Sequence, residues 1–524
     1  MKAIVLLSML LLSVSVNAAV PEWQLKVAPD VLAIVTAEGE TDFMIEMVSQ
    51  ADVSPVAMLR GKTAKNRYVF DTLRAHAVRT QAPVLAKLTE RGVTHQSFWI
   101  ANAIAVKGDR NDLEAMASMP EVDYVHGVGG VRHIGSFAGT PAKADEPRTA
   151  PVEPGIALVR APEVWALGFT GQGVVVGDHD IGVMWDHAAL KNQYRGWDGE
   201  NVSHDYNWLN AFPQDPFCDE LATPCDPHVH GTHTTGTMVG DDGGDNRIGM
   251  APSAQWMACR SLLDPVVGVG FLPTYMTCME WTLAPYPTGN PDAADPAMAP
   301  DVVNNSWGCL EGCPPTILQA TNEAIKAAGI IQVVSAGNDG AECMTLAFPL
   351  GIYDSSFTVG ATDFSDAMAG FSSRGPVVSD LSMRVTPNVV APGVDVRSAS
   401  NDGGYTELSG TSMSGPHVAG LVALMLSAAP ELKGEVDTVR ELIEQTAVPI
   451  TTGETCGGTT DADIPNNTFG YGRIDALAAV QAAIALTQAP KQKTEGRGLL
   501  VGALDWFALL SLIGLQMLRR GRKT

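Results

Sequence analysis

Apolar residues in the central part of the chain come in short, nearly unbroken runs: VVVGDH (174–179), DVVNNS (301–306) and IIQVVS (330–335). Runs of that length bounded by turn residues suit parallel strands covered on both faces. Helical patterns lie between and after them. Ile317 to Ala328 repeats its apolar positions at helical spacing, with Gly329 as terminator. Met413 to Ser427 also predicts a helix, with Pro416 tolerated in its first turn. Strands alternating with helices in this way predict an α/β fold, a parallel sheet flanked by helices.

A different rhythm precedes it. VLAIVTAE (31–38), SFWIANAIAVKG (97–108) and VDYVHG (122–127) predict strands, whereas the segment after Tyr68 and the run Arg110 to Met119 predict helices. Mixed elements in under a hundred residues suit a small α+β domain. From Val128 to Pro154 glycine, proline and small residues dominate, which predicts a linker.

The two ends differ again. Lys2, the apolar stretch Ile4 to Val16 and the small residues Val16-Asn17-Ala18 form a secretory leader, with cleavage expected after Ala18. At the other end Leu499 to Leu518 is a nearly unbroken apolar stretch, interrupted by Asp505 and followed by Arg519, Arg520, Arg522 and Lys523. Alone, this reads as a membrane helix with a cytoplasmic basic end. The organisation expected is therefore a leader (1–18), a small α+β domain (19–127), a linker (128–153), a large α/β domain (154–486), a short polar linker (487–497) and an apolar tail (498–524).

Composition narrows the picture only modestly. A chain of 524 residues with 45% hydrophobic content can bury a large core. Its net charge of −24 argues against nucleic acid and anionic membrane surfaces as partners. All eight cysteines fall between Cys218 and Cys456, an even set in an exported domain, which predicts disulfides. Cys218 with Cys225 and Cys309 with Cys313 are near enough for local loops, and Cys259–Cys278 and Cys343–Cys456 are the remaining candidates. No paired C-x-x-C spacing supports a metal site.

Candidate chemistry sits in three glycine-rich turns: Asp180 in VVVGDHDIG, His230 in HVHGTHTTG and Ser412 in SGTSMSGPHVAG. Serine attack on a carbonyl needs a base for the hydroxyl proton and a carboxylate to hold the imidazole. Ser412 opens a predicted helix, whose free N–H groups and dipole favour a developing oxyanion. The cluster His228, His230 and His233 also has a spacing that could bind zinc.

The stretches HGTH (230–233), SAGN (335–338) and GTSMSGPHVAG (410–420) resemble the subtilisin-like serine proteases, over about residues 154–484. The order Asp, His, Ser is that of the subtilisins. The resemblance implies Ser412 as nucleophile, His230 as general base and Asp180 as the orienting acid, with His233 structural rather than a zinc ligand. Asp180 stands two residues before Gly182 and seven before His187, as the family pattern requires, and Asp178 fits neither spacing. Ile181 stands where serine or threonine is usual, so a supporting hydrogen bond to Asp180 is expected to be missing or replaced. Asn338 is implied as the oxyanion donor, and Ser306, Trp307 and Gly308 as the strand edge that binds substrate backbone. NNSWGC, the cysteines and the insertion Pro285 to Pro300 look most like the bacillopeptidase F branch.

The implied function is an exported serine endopeptidase, secreted or at the cell surface, acting on protein or peptide substrates through an acyl-enzyme. No cofactor serves the chemistry; structural calcium is common in the family, and no ligand set is read for it. Residues 19–127 are implied to be a propeptide that inhibits its own protease, with self-cleavage in the linker. The tail resembles carboxy-terminal sorting tags of some Gram-negative bacteria, which an intramembrane protease removes; a permanent anchor is the other reading. The rival from another class is a catalytically inactive subtilisin-like scaffold or binding protein.

Overall fold

The computed structural model describes residues 20–128, 130–133, 137–138, 152–212, 215–218, 220–262, 269–309, 315–451, 453–460 and 462–488. The leader and the apolar tail lie outside the described residues. Among the described residues no helix is long and apolar enough to cross a membrane.

The amino-terminal part is an antiparallel sheet with helices on it. Its elements are α1 (Pro29–Glu38), β1 (Glu40–Met47), α2 (Lys62–Arg91), β2 (Thr94–Phe98), β3 (Ala103–Asp109), α3 (Arg110–Ala117) and β4 (Val122–Gly127), in sheet order β2-β3-β1-β4. Residues 31–38 are helical, against the strand expectation. Pro29 occupies the first turn, Gly39 ends the helix at φ 85°, and Val31 and Val35, one turn apart, are the buried pair. The apolar stretch 97–108 is two strands rather than one, because the chain turns at 99–102 between β2 and β3.

The expected linker also carries structure. β5 (Gly130–His133) and β6 (Phe137–Ala138) are short strands, each paired with the large domain that follows.

That domain begins with α4 (Pro154–Leu158) and α5 (Ala161–Ala166). There follow β7 (Val175–Asp180), β8 (Trp208–Asn210), α6 (His230–Val239), β9 (Gln255–Arg260), β10 (Val269–Phe271), α7 (Leu272–Leu283), β11 (Val302–Asn305), β12 (Trp307–Cys309), α8 (Pro315–Ala327) and β13 (Ile331–Ser335). The chain ends through β14 (Phe357–Thr362), β15 (Val389–Pro392), β16 (Val396–Ala399), β17 (Tyr405–Ser409), α9 (Thr411–Ala428), α10 (Val436–Thr446) and α11 (Ala476–Gln488). Seven strands form one sheet in the order β15-β14-β13-β11-β7-β9-β8, parallel throughout. Helix α9 is buried from Thr411 to Leu426 and packs against β14, β13 and β11, so it is apolar almost all round. This is the parallel α/β sheet flanked by helices that the alternating pattern predicts.

Helices α7 and α8 carry the amino-terminal sheet. Met44, Phe98 and Ala103 share one apolar cluster with Tyr275, Met276 and Leu318. Polar contacts frame it: Glu280 Oε1 accepts the Trp99 and Ile100 N–H groups, the latter at 3.1 Å, and Asn66 donates to the Leu283 and Pro296 carbonyls. Lys62 Nζ, partly exposed, reaches the buried Asp301 carboxylate at 2.8 Å.

Disulfides join Cys218 to Cys225, Cys259 to Cys278 and Cys343 to Cys456. For the expected Cys309–Cys313 pair, Cys313 lies outside the described residues.

Candidate active site

The site is assembled at the carboxyl edge of the sheet, where open α/β sheets place their ligands. Asp180 is the last residue of β7, and Ser306 follows β11 directly. Asn338 lies in the turn after β13. His230 is the first residue of α6 and Ser412 the second of α9, and those two helices pack against each other.

Asp180 and His230 are in direct contact. His230 Nδ1 donates to both carboxylate oxygens, at 2.9 and 2.8 Å. That fixes the tautomer: the proton sits on Nδ1 and the lone pair on Nε2. Close approach is what makes Gly231 necessary. A Cβ there would overlap the Gly182 carbonyl oxygen and stand 3.0 Å from Asp180 Cβ.

Burial sets the charge state of the pair. Desolvation raises the Asp180 carboxyl well above the usual carboxylate range, and the nearby Asp226 carboxylate adds to it, against the Ile181 N–H hydrogen bond. The same loss of water holds His230 well below the ordinary imidazole value of 6.5, so the ring is a neutral base.

Ile181 carries no side-chain donor, and its backbone N–H donates to Asp180 Oδ1 at 2.7 Å, as the backbone of a serine or threonine there would. Its side chain is buried in the cluster that includes Leu262 and Trp307. Asp178 has a different position altogether. Its carboxylate accepts from Thr234 and Thr235 hydroxyls at 2.7 and 2.9 Å and from Asn304 Nδ2 at 3.0 Å, tying β7 to α6 and β11. His233 Nε2 lies 2.8 Å from the Val396 carbonyl, and burial pushes its pKa down to about 3. Among the described residues no group of three or more His, Cys, Asp and Glu side chains could hold a metal ion.

Around Ser412 the contacts are reciprocal. Ser306 Oγ donates to the Ser412 carbonyl at 3.1 Å, and Ser412 Oγ lies 3.4 Å from the Ser306 carbonyl. Asn338 is oriented by Thr411, whose N–H and hydroxyl both donate to Asn338 Oδ1 at 2.9 Å. With the oxygen so engaged, the amide nitrogen occupies the other side of the group as a donor. Trp307 and Gly308 belong to β12, whose edge is taken by β5, with Trp307 opposite His133 and Gly308 opposite Arg132.

The subtilase (Peptidase_S8) family model matches residues 171–472, more than half of the chain. The chain belongs to the subtilase family. It is 35% identical over 457 residues to Bacillopeptidase F of Bacillus subtilis (strain 168), a match covering 83% of this chain and 30% of that protein. Subtilisin DY of Bacillus licheniformis is 33% identical over 295 residues, 56% of this chain and 90% of the relative. Subtilisin E of Bacillus subtilis (strain 168) is 28% identical over 431 residues, 82% and 93% respectively. This subtilase thus spans less than a third of the length of Bacillopeptidase F and most of the length of the two subtilisins.

Two supports of the site escape a reading by motif. Asp226 accepts from the His228, Val229 and Thr232 N–H groups at 2.9, 3.1 and 3.0 Å, capping α6 just where His230 begins it. Only its place shortly before a helix hinted at this. Arg260 ends β9, pairs with the buried Asp215 at 2.8 Å and donates through Nη1 to the Ile181 carbonyl, next to Asp180. No sequence signal joins Arg260 to Asp215 across that distance along the chain.

Proposed function

We propose that this subtilase is an exported serine endopeptidase made as a self-processed zymogen. The observation that carries the reading is the two-oxygen grip of Asp180 on His230 Nδ1, which leaves Nε2 as base. Ser412 Oγ attacks the peptide carbonyl while His230 Nε2 takes its proton. The oxyanion is stabilised by the Ser412 N–H and Asn338 Nδ2. His230 then returns the proton to the departing amine, leaving an acyl-enzyme ester on Ser412 that water hydrolyses. Substrate backbone adds as a strand beside β12, along Ser306, Trp307 and Gly308. The test is hydrolysis of an unfolded protein by the processed enzyme, with loss of that activity after fluorophosphonate treatment. A folded, processed chain with no hydrolytic activity supports the inactive scaffold instead.

Asn338→Ala should lower kcat by about 10²- to 10³-fold with little change in KM, since the donor meets charge that exists only in the transition state. Steady-state kinetics decide it; an unchanged kcat reduces Asn338 to a turn residue.

The pH dependence has a definite sign. His230 works only when neutral, and burial lowers its pKa, so the base stays competent as pH drops below 6.5 and fails only on passing the depressed value. Because kcat reports the substrate-covered enzyme, its acid limb should fall below pH 6.5. A limb at or above 6.5 contradicts this.

Residues 19–127 act in this reading as the inhibitor of their own protease, docked on α7 and α8. Glu280→Ala removes the acceptor of two backbone N–H groups from the β2–β3 turn. Burial pushes the Glu280 carboxyl up to about 8, so near neutral pH these are two hydrogen bonds to a mainly neutral acid, and the hold should weaken about 10- to 100-fold at ~1.5–3 kcal/mol for the pair. The lag between cutting of the full chain and appearance of activity should shorten accordingly. The apolar tail is read as a sorting tag: the exported enzyme should lack Trp506 in peptide maps, and a mature form still carrying it favours a permanent anchor.

A further inference from the structure

Thr232 lies in the HGTH stretch, two residues after the base, buried in the first turn of α6. Its hydroxyl carries a single proton and donates it to Asp226 Oδ2 at 2.5 Å. That oxygen also accepts the Thr232 N–H at 3.0 Å, while Oδ1 accepts the His228 and Val229 N–H groups at 2.9 and 3.1 Å. Asp226 is therefore engaged by donors on both oxygens and fixes which way the Thr232 hydroxyl points. With its proton committed, Thr232 Oγ1 presents a lone pair, and the Met184 N–H donates to it at 2.9 Å. Met184 stands four residues after Asp180, in the segment that leaves β7. A second bond runs alongside: the Val183 N–H donates to the carbonyl of Cys225, the residue before Asp226, at 3.0 Å. Packing is equally close. A Cβ on Gly182 would stand 3.0 Å from Asp226 Cα, and one on Gly231 would overlap the Gly182 carbonyl oxygen. Residues 182–184 are thus pressed and bonded against the approach to α6 and its first turn, next to both Asp180 and His230.

We propose that Thr232 is a positioning residue for the Asp180–His230 pair: oriented by Asp226, its hydroxyl locks residues 182–184 to α6 and so sets the offset between acid and base. The proposal rests on the reading of that pair as orienting acid and general base. Thr232 acts through the backbone on either side of it, not on substrate. His230 Nδ1 holds both Asp180 oxygens, at 2.9 and 2.8 Å, a geometry that a shift of α6 along or away from β7 destroys. A shift of about 1 Å also carries Nε2 away from the serine it must deprotonate, and misplacement on that scale costs about 10²-fold in rate. Substrate backbone is bound along β12 in this reading, so KM should change little. The hydroxyl is the part of the side chain that matters. Valine has the same shape but neither donates nor accepts, which leaves the Met184 N–H without this acceptor and Asp226 without this donor. Serine keeps the hydroxyl and loses only a methyl group.

The test compares wild type, Thr232→Val and Thr232→Ser, each freed of its amino-terminal block by an added protease that is then removed, so that slow self-processing does not distort the rates. Thermal unfolding of each is recorded, and rates are taken well below the transition, because a lost buried hydrogen bond lowers stability whatever its role. Thr232→Val should lower kcat by about 10²-fold with KM little changed, and Thr232→Ser should retain most of the wild-type kcat. The downfield proton NMR signal of the His230 Nδ1–H hydrogen bond should shift or broaden in Thr232→Val and hold its place in Thr232→Ser. A merely structural role gives a lower unfolding temperature with kcat and that signal as in wild type, and this result overturns the proposal. Equal losses of kcat in the two variants overturn it as well, since the methyl group would then be at work. Where Thr232→Val does not fold, Asp226→Asn takes its place. Its amide sets a donor against either the Thr232 N–H or the His228 and Val229 N–H groups, so kcat should again fall while KM holds. An unchanged kcat there overturns the proposal. An active wild type with Thr232→Val unimpaired removes this inference alone; a wild type without any hydrolysis removes the proposed function with it.

Discussion

Ser412→Ala should abolish proteolysis, lowering turnover by about 10⁶-fold, the scale of removing the nucleophile of a serine triad. The same substitution should leave the full chain unprocessed at about its unmodified mass. Under the proposed zymogen reading one hydroxyl serves both reactions. Folding should be little disturbed. The side chain is buried, but its Oγ contact with the Ser306 carbonyl is long, at 3.4 Å, and alanine fits the first turn of α9. Gel analysis of the purified variant with no other protease present checks the processing arm, and peptide hydrolysis after removal of the amino-terminal block by an added protease checks the other. Normal self-processing of Ser412→Ala contradicts the account.

Asp180→Asn comes next in size. An amide at that position either offers N–H to a ring that must itself donate from Nδ1, or turns the ring to the tautomer with its proton on Nε2. Either way the lone pair needed by the serine is lost, with a cost of about 10⁴-fold in kcat. Asp178→Asn is the matched control. Its carboxylate holds Thr234, Thr235 and Asn304 and does not touch His230 in any contact described above. An asparagine there presents N–H groups to hydroxyls that had an acceptor, so the expected effect is lower thermal stability with kcat changed far less. Reversed sensitivities would assign the acid to Asp178.

The readable and unreadable parts of this chain divide along a physical line. Residues 175–180, 302–305 and 331–335 are strands covered on both faces, so their apolar runs report burial directly and the expectation holds. At 31–38 the same kind of run misleads, because the deciding residues are Pro29 and Gly39 at its flanks rather than the β-branched residues inside it. The strands at 130–133 and 137–138 could not be read at all: four and two residues long, they are too short to show an alternation, and β10, β12 and β17 pair with them. In the candidate site, Asp180, His230, Asn338 and Ser412 stand out by motif, since each lies within two residues of a glycine in a distinctive stretch. Their supports do not. Arg260 on the Ile181 carbonyl and Thr411 on Asn338 act through partners distant in sequence, and no local pattern marks such pairs.

The central claim is that Ser412 is the activated nucleophile of a working serine peptidase. Fluorophosphonate labelling of the processed enzyme, followed by peptide mapping of the adduct, measures this most directly. The account predicts one adduct, on Ser412, formed with loss of peptide hydrolysis and absent from Ser412→Ala. No adduct, or an adduct on another serine such as Ser409 or Ser414 with hydrolysis lost, would contradict it.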